Sequence, residues 1–510
     1  MTIAGRISLY SKLIIALQYN GAVSTLSTLW AAVVTYVTYL AMTFGTFSPE
    51  WGSFWAIWRG SRLTPPTRLI RLQISWYKKQ TTLVVPLTGG PMAKRNSVDH
   101  TTMRDMNLAL ILHTLRTDAP LSRAEIAATT GLNKATVSSM IRDLLQNDFV
   151  RELENGQTPA EVGRPAIMIE PNPEAGTFIG AEINVDFISI VIANFSVKIL
   201  SRRFESTAHL HSQEAILARF LYLLEEAVQQ AKGSSGPLFG IGVGVPGLVD
   251  VGTGQLLFAP NLNWHNVDLR RLIQERVDVP VYVMNEANQA ALGERYFGAG
   301  ITSNYMLYVS FGIGIGGGIV STGNLVEGAT GFAGEVGHMA VERDGLRCNC
   351  GSRGCWETVA GTGALYRRIR QALSEGKDSG LLAATDWDLS HLEVGLVVEA
   401  ARRGDTVALE ALHETAVWIG MGLANLMNIL NPERVVIGGP LSEAQAFLLP
   451  VIRETVAERA WDQVSERAEI VVAAHGRDAT VLGGVASVYR GVLNSPRNWL
   501  ASAPRSWQPT

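Results

Sequence analysis

The sequence predicts an α/β protein in which a winged helix-turn-helix precedes a two-lobed α/β domain. Three observations predict it. Residues 108–146 carry apolar residues at helical spacing, interrupted by a tight glycine turn. From about residue 175 onward, β-branched runs alternate with helical ones and end in glycine loops, the order expected of two α/β lobes with a cleft between them. All three cysteines of the 510-residue chain fall inside one stretch, "GEVGHMAVERDGLRCNCGSRGCWE", at 334–357.

Composition narrows the classes. With 47% hydrophobic residues, 17% charged residues and 50 glycines, the chain is globular and not disordered. A formal net charge of −3 gives no global basic field to attract nucleic acid. Three clustered cysteines cannot build a disulfide framework; they suit a reducing, cytoplasmic setting and a metal or reactive site.

Residues 1–91 stand apart as an apolar and basic extension. Their charged residues are Arg6, Lys12, Arg59, Arg62, Arg68, Arg71, Lys78 and Lys79 against one acid, Glu50. The stretch 22–45 is long enough to span a bilayer, yet it is rich in Ser and Thr and no clear signal-peptide cleavage site follows. The segment reads as a translated upstream region with the true start at Met92, as a membrane anchor, or as a soluble extension. The expected domains are then 92–170 for the winged helix-turn-helix, 171–495 for the two lobes and 496–510 for a tail.

The helix-turn-helix is justified residue by residue. Leu108, Ile111, Leu112 and Leu115 form the stripe of a first helix. Ser122 and Glu125 form a capping box, with Leu121 and Ile126 at the hydrophobic-staple positions. Gly131 suits the left-handed residue that ends this short helix, and Asn133 caps the next. Val137, Met140, Ile141 and Leu144 face inward on that third helix. Lys134, Ala135, Thr136, Ser138, Ser139, Arg142 and Gln146 then face or flank the outward side, where small and hydrogen-bonding side chains can enter a major groove. "FVRELENG" and "AIMIEP" read as wing strands, and Arg164 between them is placed to enter a minor groove. Residues 92–165 hold nine basic and nine acidic residues, so affinity would rest on local placement and on dimerisation.

The cysteine stretch has the spacing H-x9-C-x-C-x4-C: His338, Cys348, Cys350 and Cys355. One imidazole and three thiolates fill a tetrahedral zinc shell and leave no position for water, so the metal is expected to be structural, one per chain. Glu335 and Glu357 are not needed by the metal and suit the hydroxyls of a sugar.

"GEVGHM", "CNCGSRGCWE", "GVGVPGLVD", "PNLNW" and "NEANQAALGE" together resemble the ROK family (repressor, open reading frame, kinase) over about 101–485. The resemblance implies an actin-like, sugar-kinase pair of lobes. It implies that Asn285, Glu335, His338 and Glu357 contact a sugar, that His338 puts its other ring nitrogen on zinc, and that Asn261 and the loop at Gly247 line the pocket. The family contains kinases and repressors. Where the kinases carry an Asp-x-Gly-Gly-Thr phosphate loop this chain has "GAEINVDF", without the glycines that let backbone wrap phosphate. Where they carry Asn-Asp, with Asp as general base, this chain has Asn285–Glu286, a carboxylate displaced by roughly 1.5 Å. The kinase Gly-Thr-Gly turn is here Gly312–Ile313–Gly314. The expectation is therefore a xylose-repressor-like regulator without kinase activity, bound to palindromic operator DNA as a homodimer or homotetramer and controlled by a small sugar. The competing expectation is an ATP-dependent sugar kinase of the glucokinase or N-acetylmannosamine kinase type.

Overall fold

A computed structural model describes residues 68–76, 79–87, 100–153, 166–234 and 236–494. The membrane-length stretch 22–45, Arg164 and the tail 496–510 lie outside the described residues. The chain divides into two compact units, Met1–Ser97 and Val98–Thr510. In the first, β1 (Arg68–Trp76) pairs antiparallel with β2 (Lys79–Leu87), in register from Arg68 opposite Leu87 to Trp76 opposite Lys79.

The second unit opens with the expected helices, α1 (His100–Asp118), α2 (Arg123–Thr130) and α3 (Lys134–Gln146). The capping box forms as read: the Ser122 hydroxyl accepts from the Glu125 backbone while Glu125 accepts from the Ser122 backbone. Gly131 takes φ +70° at the C-cap, and the Asn133 side chain accepts from the Thr136 backbone. Arg104 and Asp143 pair across α1 and α3. A small sheet of order β3 (Leu121–Ser122), β5 (Met168–Pro171), β4 (Val150–Glu152) makes the wing, all antiparallel. Its strands are shorter than the quoted sequence runs.

Two five-stranded sheets follow, and they share one topology. The first comprises β6 (Thr177–Ile183), β7 (Phe187–Asn194), β8 (Ile199–Ser206), β9 (Leu238–Val245) and, further along, β13 (Val281–Asn285), in the order β13-β9-β6-β7-β8. Helix α4 (Gln213–Lys232) covers it. Between β9 and β13 a three-stranded flap of β10 (Leu248–Asp250), β11 (Gln255–Ala259) and β12 (Trp264–Asp268) packs on the same core. After α5 (Glu286–Phe297) comes the second sheet: β14 (Met306–Phe311), β15 (Ile315–Ser321), β16 (Asn324–Leu325), β17 (Arg434–Gly438) and β18 (Glu469–Val472), in the order β16-β15-β14-β17-β18. In each sheet an antiparallel meander is extended by two parallel strands on the side of its first strand. The strongly apolar α6 (Thr406–Leu430) belongs to the core of the second lobe. The last helix, α7 (Ala479–Asn494), returns to the first sheet. It approaches so closely that a Cβ on Gly242 would meet the Gly484 carbonyl at 2.2 Å.

The core runs across residue 170 without a break. Leu108, Ile111, Leu115, Ile126, Ile141 and Phe149 of the N-terminal helices share one buried cluster with Phe178, Phe195, Phe239, Val485, Tyr489 and Val492. Phe149 meets Phe195 edge-on at 5.3 Å between ring centres. Ring pairs of this kind add about 0.5–1.5 kcal/mol beyond their buried area, so the N-terminal helices are seated on the first lobe and not merely tethered to it.

Candidate functional site

Parallel strands β9 and β13 lead at their carboxyl ends into Gly247 and Asn285, and β14 leads into the Gly312–Gly314 turn, the ends of strands being the usual place for ligands in open α/β sheets. Asn285 ends β13 and caps α5, its Oδ1 accepting from the Ala287 and Asn288 backbone and its Nδ2 donating to the Gly247 carbonyl at 3.2 Å. Gly247, at φ +106°, makes a turn packed against Phe258 that a side chain would block. Most of the Asn285 amide is thus engaged by the protein itself.

The cysteine loop is anchored to the second lobe by Trp356. This ring is fully buried, meets Phe311 edge-on at 5.3 Å, and donates from Nε1 to the Trp418 carbonyl at 2.8 Å. Gly422 leaves room for it: a Cβ there would lie 2.0 Å from the indole. Isolated bridges from Ala340 to Cys355 and from Arg347 to Arg353 tie the loop together.

The structure gathers His338, Cys348, Cys350 and Cys355 so that their ligand atoms all lie within 4.8 Å of one another. Cys350 and Cys355 have their sulfurs 3.7 Å apart, and His338 Nδ1 is 3.6 Å from Cys348 Sγ. Tetrahedral zinc with Zn–S near 2.3 Å sets neighbouring ligand atoms roughly 3.5–3.8 Å apart, so these four residues fit such an ion. Glu357 Oε1 lies 2.7 Å from Cys348 Sγ. Burial, and after it this carboxylate, push the Cys348 thiol well above its usual range. A thiolate and a carboxylate this close need a proton or a cation between or beside them, and a metal ion reverses that pKa logic.

His338 presents its two nitrogens to different neighbours. Nδ1 faces the cysteines; Nε2 is 3.7 Å from Glu335 Oε2. With Nδ1 on a metal, Nε2 carries the proton and faces the carboxylate side. Glu335, Glu357 and His338 are therefore together. Burial raises the Glu335 pKa, His338 lowers it and Glu357 raises it again. Asn261 reaches the same place from the turn between β11 and β12: a Cβ on Gly314 would lie 3.1 Å from Asn261 Nδ2 and 3.3 Å from Glu357 Oε2.

Glu286, whose Oε1 would lie 3.5 Å from a Cβ on Gly316, has a buried Oε2 without a hydrogen-bond partner, and burial raises its pKa well above the usual value. The hairpin joining β6 to β7 is internally bonded. Asn184 donates to the Phe187 carbonyl through its backbone and to Glu182 Oε1 through its side chain, while Val185 donates to Asn184 Oδ1. Ile313 is 54% exposed at its turn.

On α3, Lys134, Ala135, Arg142 and Gln146 are exposed and Thr136, Ser138 and Ser139 are half-buried. Ion pairs Arg123–Glu152 at 2.7 Å and Arg151–Glu170 at 2.6 Å brace the wing beside them.

Sequence reasoning missed two residues here. Asn349 hydrogen-bonds Asn261, and its position between two clustered cysteines was the available signal. Glu182 is 3% exposed, and an acid in the apolar run "FIGAEI" was its signal.

Fold and site define a two-lobed body with a cluster of one histidine and three cysteines that could hold a metal ion, carrying a winged helix-turn-helix. Residues 178–490 match the ROK family and residues 107–154 match the IclR helix-turn-helix domain. The chain belongs to the ROK family. It is 34% identical over 399 residues to a xylose repressor of Caldicellulosiruptor bescii, covering 78% of this chain and 99% of that one. A glucokinase of Halalkalibacterium halodurans is 41% identical over 253 residues, 49% of this chain and 76% of that one. A solved ROK family transcriptional regulator, a homologue of the E. coli MLC protein, superposes with TM-score 0.67 at 25% identity, covering 78% of this chain and 99% of that one. Among the described residues, no helix is long and apolar enough to cross a membrane.

Proposed function

We propose that this chain is a sugar-responsive, DNA-binding transcriptional repressor of carbohydrate-utilisation genes that uses its ROK body as a sensor and phosphorylates nothing. The observation that carries the reading is the continuous core between the winged reading head and the first lobe: movement of that lobe must be felt by the head. Lys134, Ala135, Thr136, Ser138, Ser139 and Arg142 read the major groove of a palindromic operator, with Arg164 directed at a minor groove. The protein acts in the cytoplasm as a homodimer or homotetramer, because one head reads too few bases alone.

The sugar lies between Asn261, Glu335, His338 and Glu357, with Asn285 and Gly247 shaping the pocket. A pentose such as xylose agrees with the regulators this chain resembles. His338, Cys348, Cys350 and Cys355 hold one structural zinc, which stiffens the loop and fixes the His338 ring.

Two features argue against phosphoryl transfer. At Glu286 the carboxylate stands one methylene further out than the Asp of the family's kinases, and its Oε2 is buried without a hydrogen-bond partner, so it is misplaced as a general base. The β6–β7 hairpin lacks the glycines of a phosphate loop, and its Asn184 and Val185 backbone amides are spent on the Phe187 carbonyl and on Asn184 Oδ1.

The test is a fluorescence-anisotropy titration of DNA from upstream of the chain's own gene, with and without D-xylose, on wild type and Glu335→Ala. Sugar is expected to weaken wild-type binding by about 5–150-fold, the usual range of allosteric coupling, and to leave the variant unmoved. Wild-type affinity insensitive to a panel of aldoses would sink the sensor reading. ATP turnover on the same panel within the ordinary enzyme range of roughly 1–1000 per second would replace the repressor with a sugar kinase.

A further inference from the structure

Asn349 sits on the metal loop, between Cys348 and Cys350, yet its side chain reaches away from the cysteines. Its Nδ2 donates to Asn261 Oδ1 at 3.0 Å. The two residues belong to different lobes. Asn261 lies in the turn between β11 and β12, whose Leu256, Ala259 and Trp264 are buried in the core of the first lobe. The metal loop is fastened to the second lobe through Trp356. This one hydrogen bond therefore spans the cleft.

An asparagine amide has a donor end and an acceptor end, and which end faces the cleft is set by what holds the other. With Oδ1 held by Asn349, Asn261 turns its NH2 toward the space kept open by Gly314. Glu357 Oε2 borders the same space, the two atoms standing 3.1 Å and 3.3 Å from where a Cβ on Gly314 would be. A donor and an acceptor across a space of that size match one hydroxyl of a polyol, which accepts from the amide and donates to the carboxylate.

The backbone holds Asn349 firmly enough for this task. Cys348 donates to the Ser352 carbonyl at 2.9 Å and Gly351 to the Cys348 carbonyl at 3.0 Å, closing a turn around residue 349.

We propose that Asn349 is a positioning residue for sugar recognition: it sets the polarity of the Asn261 amide, so that Asn261 donates to a sugar hydroxyl opposite Glu357. This deepens the sensor reading and rests on it. It also gives the metal loop a second task. By carrying Asn349, the loop fixes a contact on the far side of the cleft as well as the His338 ring on its own side.

Asn349→Asp reverses the arrangement at nearly constant size. A carboxylate at 349 only accepts, so Asn261 must turn its NH2 toward it and present Oδ1 to the cleft. The sugar hydroxyl then meets two acceptors, and one of them goes without a proton. Loss of one hydrogen bond to the sugar, with an acceptor left unpaired, corresponds to about tenfold in affinity.

The experiment is calorimetric titration of D-xylose and D-glucose into full-length, zinc-loaded wild type, Asn349→Asp, Asn261→Ala and the double variant, with zinc content and Tm measured on each. Asn349→Asp is expected to weaken the better-bound sugar by at least about tenfold with zinc and Tm unchanged, and to cause no further loss in the Asn261→Ala background. Wild-type affinity in Asn349→Asp overturns the proposal. So does an equal loss in both backgrounds, which would mean that residue 349 acts through charge or loop shape and not through Asn261. A wild type that binds neither sugar overturns the proposal together with the sensor reading for these ligands, an outcome separable from the other two because it appears before any substitution.

Discussion

Arg116 of the reading head donates from its guanidinium to the backbone carbonyl of Tyr296 and lies 4.9 Å over the centre of the Tyr296 ring. Tyr296 is in the last turn of α5, and the first residue of α5 is Glu286 at the cleft. A twelve-residue helix is about 18 Å long, so one rigid element joins the candidate sugar site to the head. A cation at the C-terminal end of a helix is favoured by the helix dipole, and burial beside a ring adds to that pairing.

The joint can be cut without touching either ligand. Arg116→Met keeps the apolar stem and removes the charge and the donor. Operator affinity measured with and without saturating D-xylose is expected to show the wild-type ratio, about 5–150-fold, collapsing toward unity in the variant while sugar affinity itself is held. A full-sized sugar effect in Arg116→Met would show that the signal travels elsewhere, for instance through α7, which also touches both the first sheet and α1.

The metal loop offers a second test. Cys350→Ser removes one of the three sulfurs that lie with the His338 imidazole within 4.8 Å of one another and are proposed to hold zinc. Zinc, measured by mass spectrometry, is expected to fall from one per chain to none. Groups that orient a metal-bound histidine commonly matter by about 10–100-fold, and sugar affinity should fall by a similar factor because His338 and Asn349 lose their support together. Full sugar affinity in a metal-free variant ends the bracing idea.

Local chemistry made much of this legible in the sequence. The capping box at Ser122 and Glu125, the left-handed Gly131 and the Asn133 cap are decided within a few residues, and each forms as its residue types require. The gathering of His338, Cys348, Cys350 and Cys355 was legible because thiols at fixed short spacing have few other uses. The two lobes followed from the alternation of strand and helix runs. What stayed hidden depends on contacts between distant parts of the chain. Arg116 meets Tyr296 across 180 positions and Asn349 meets Asn261 across 88, and nothing in the sequence near either residue of a pair names the other. The seating of the head on Phe178, Phe195 and Phe239 is of the same kind: those residues read as ordinary strand interior.

Glu182 makes stability depend on pH. Burial raises its pKa to about 7 from 4.5, with a hydrogen bond from Asn184 acting the other way. The folded state keeps a proton between pH 4.5 and 7 that the unfolded state releases. This contribution is whole below 4.5 and is lost as pH rises through 7. Glu182→Gln imitates the protonated form, so its Tm should match wild type near pH 4.5 and exceed it by pH 8, with a gain on the order of 3 kcal/mol at 1.36 kcal/mol per pKa unit. His113 runs in the opposite sense: burial, then Arg116 and Arg295, lower it to about 4, so stability falls as pH drops from 6.5 toward 4. That term is common to both proteins and cancels in their difference. A Tm gap that does not change with pH would show that Glu182 is ionised in the fold.

The recognition helix separates two kinds of contact. Arg142 is exposed on α3, opposite the buried Val137, Ile141 and Leu144, and is proposed to reach a base edge. Lys134 is the first residue of the same helix, where the backbone amides and the helix dipole already favour a phosphate. Arg142→Ala should therefore cost about 1–3 kcal/mol at one base position and relax the preference there. Lys134→Ala should weaken all sequences alike and reduce the slope of log K against log salt by about 1. Binding to a set of operators with single base changes, repeated at several salt concentrations, distinguishes the two. If Arg142→Ala lowers affinity evenly across the set, Arg142 holds the backbone and base reading falls to Ala135, Ser138 and Ser139.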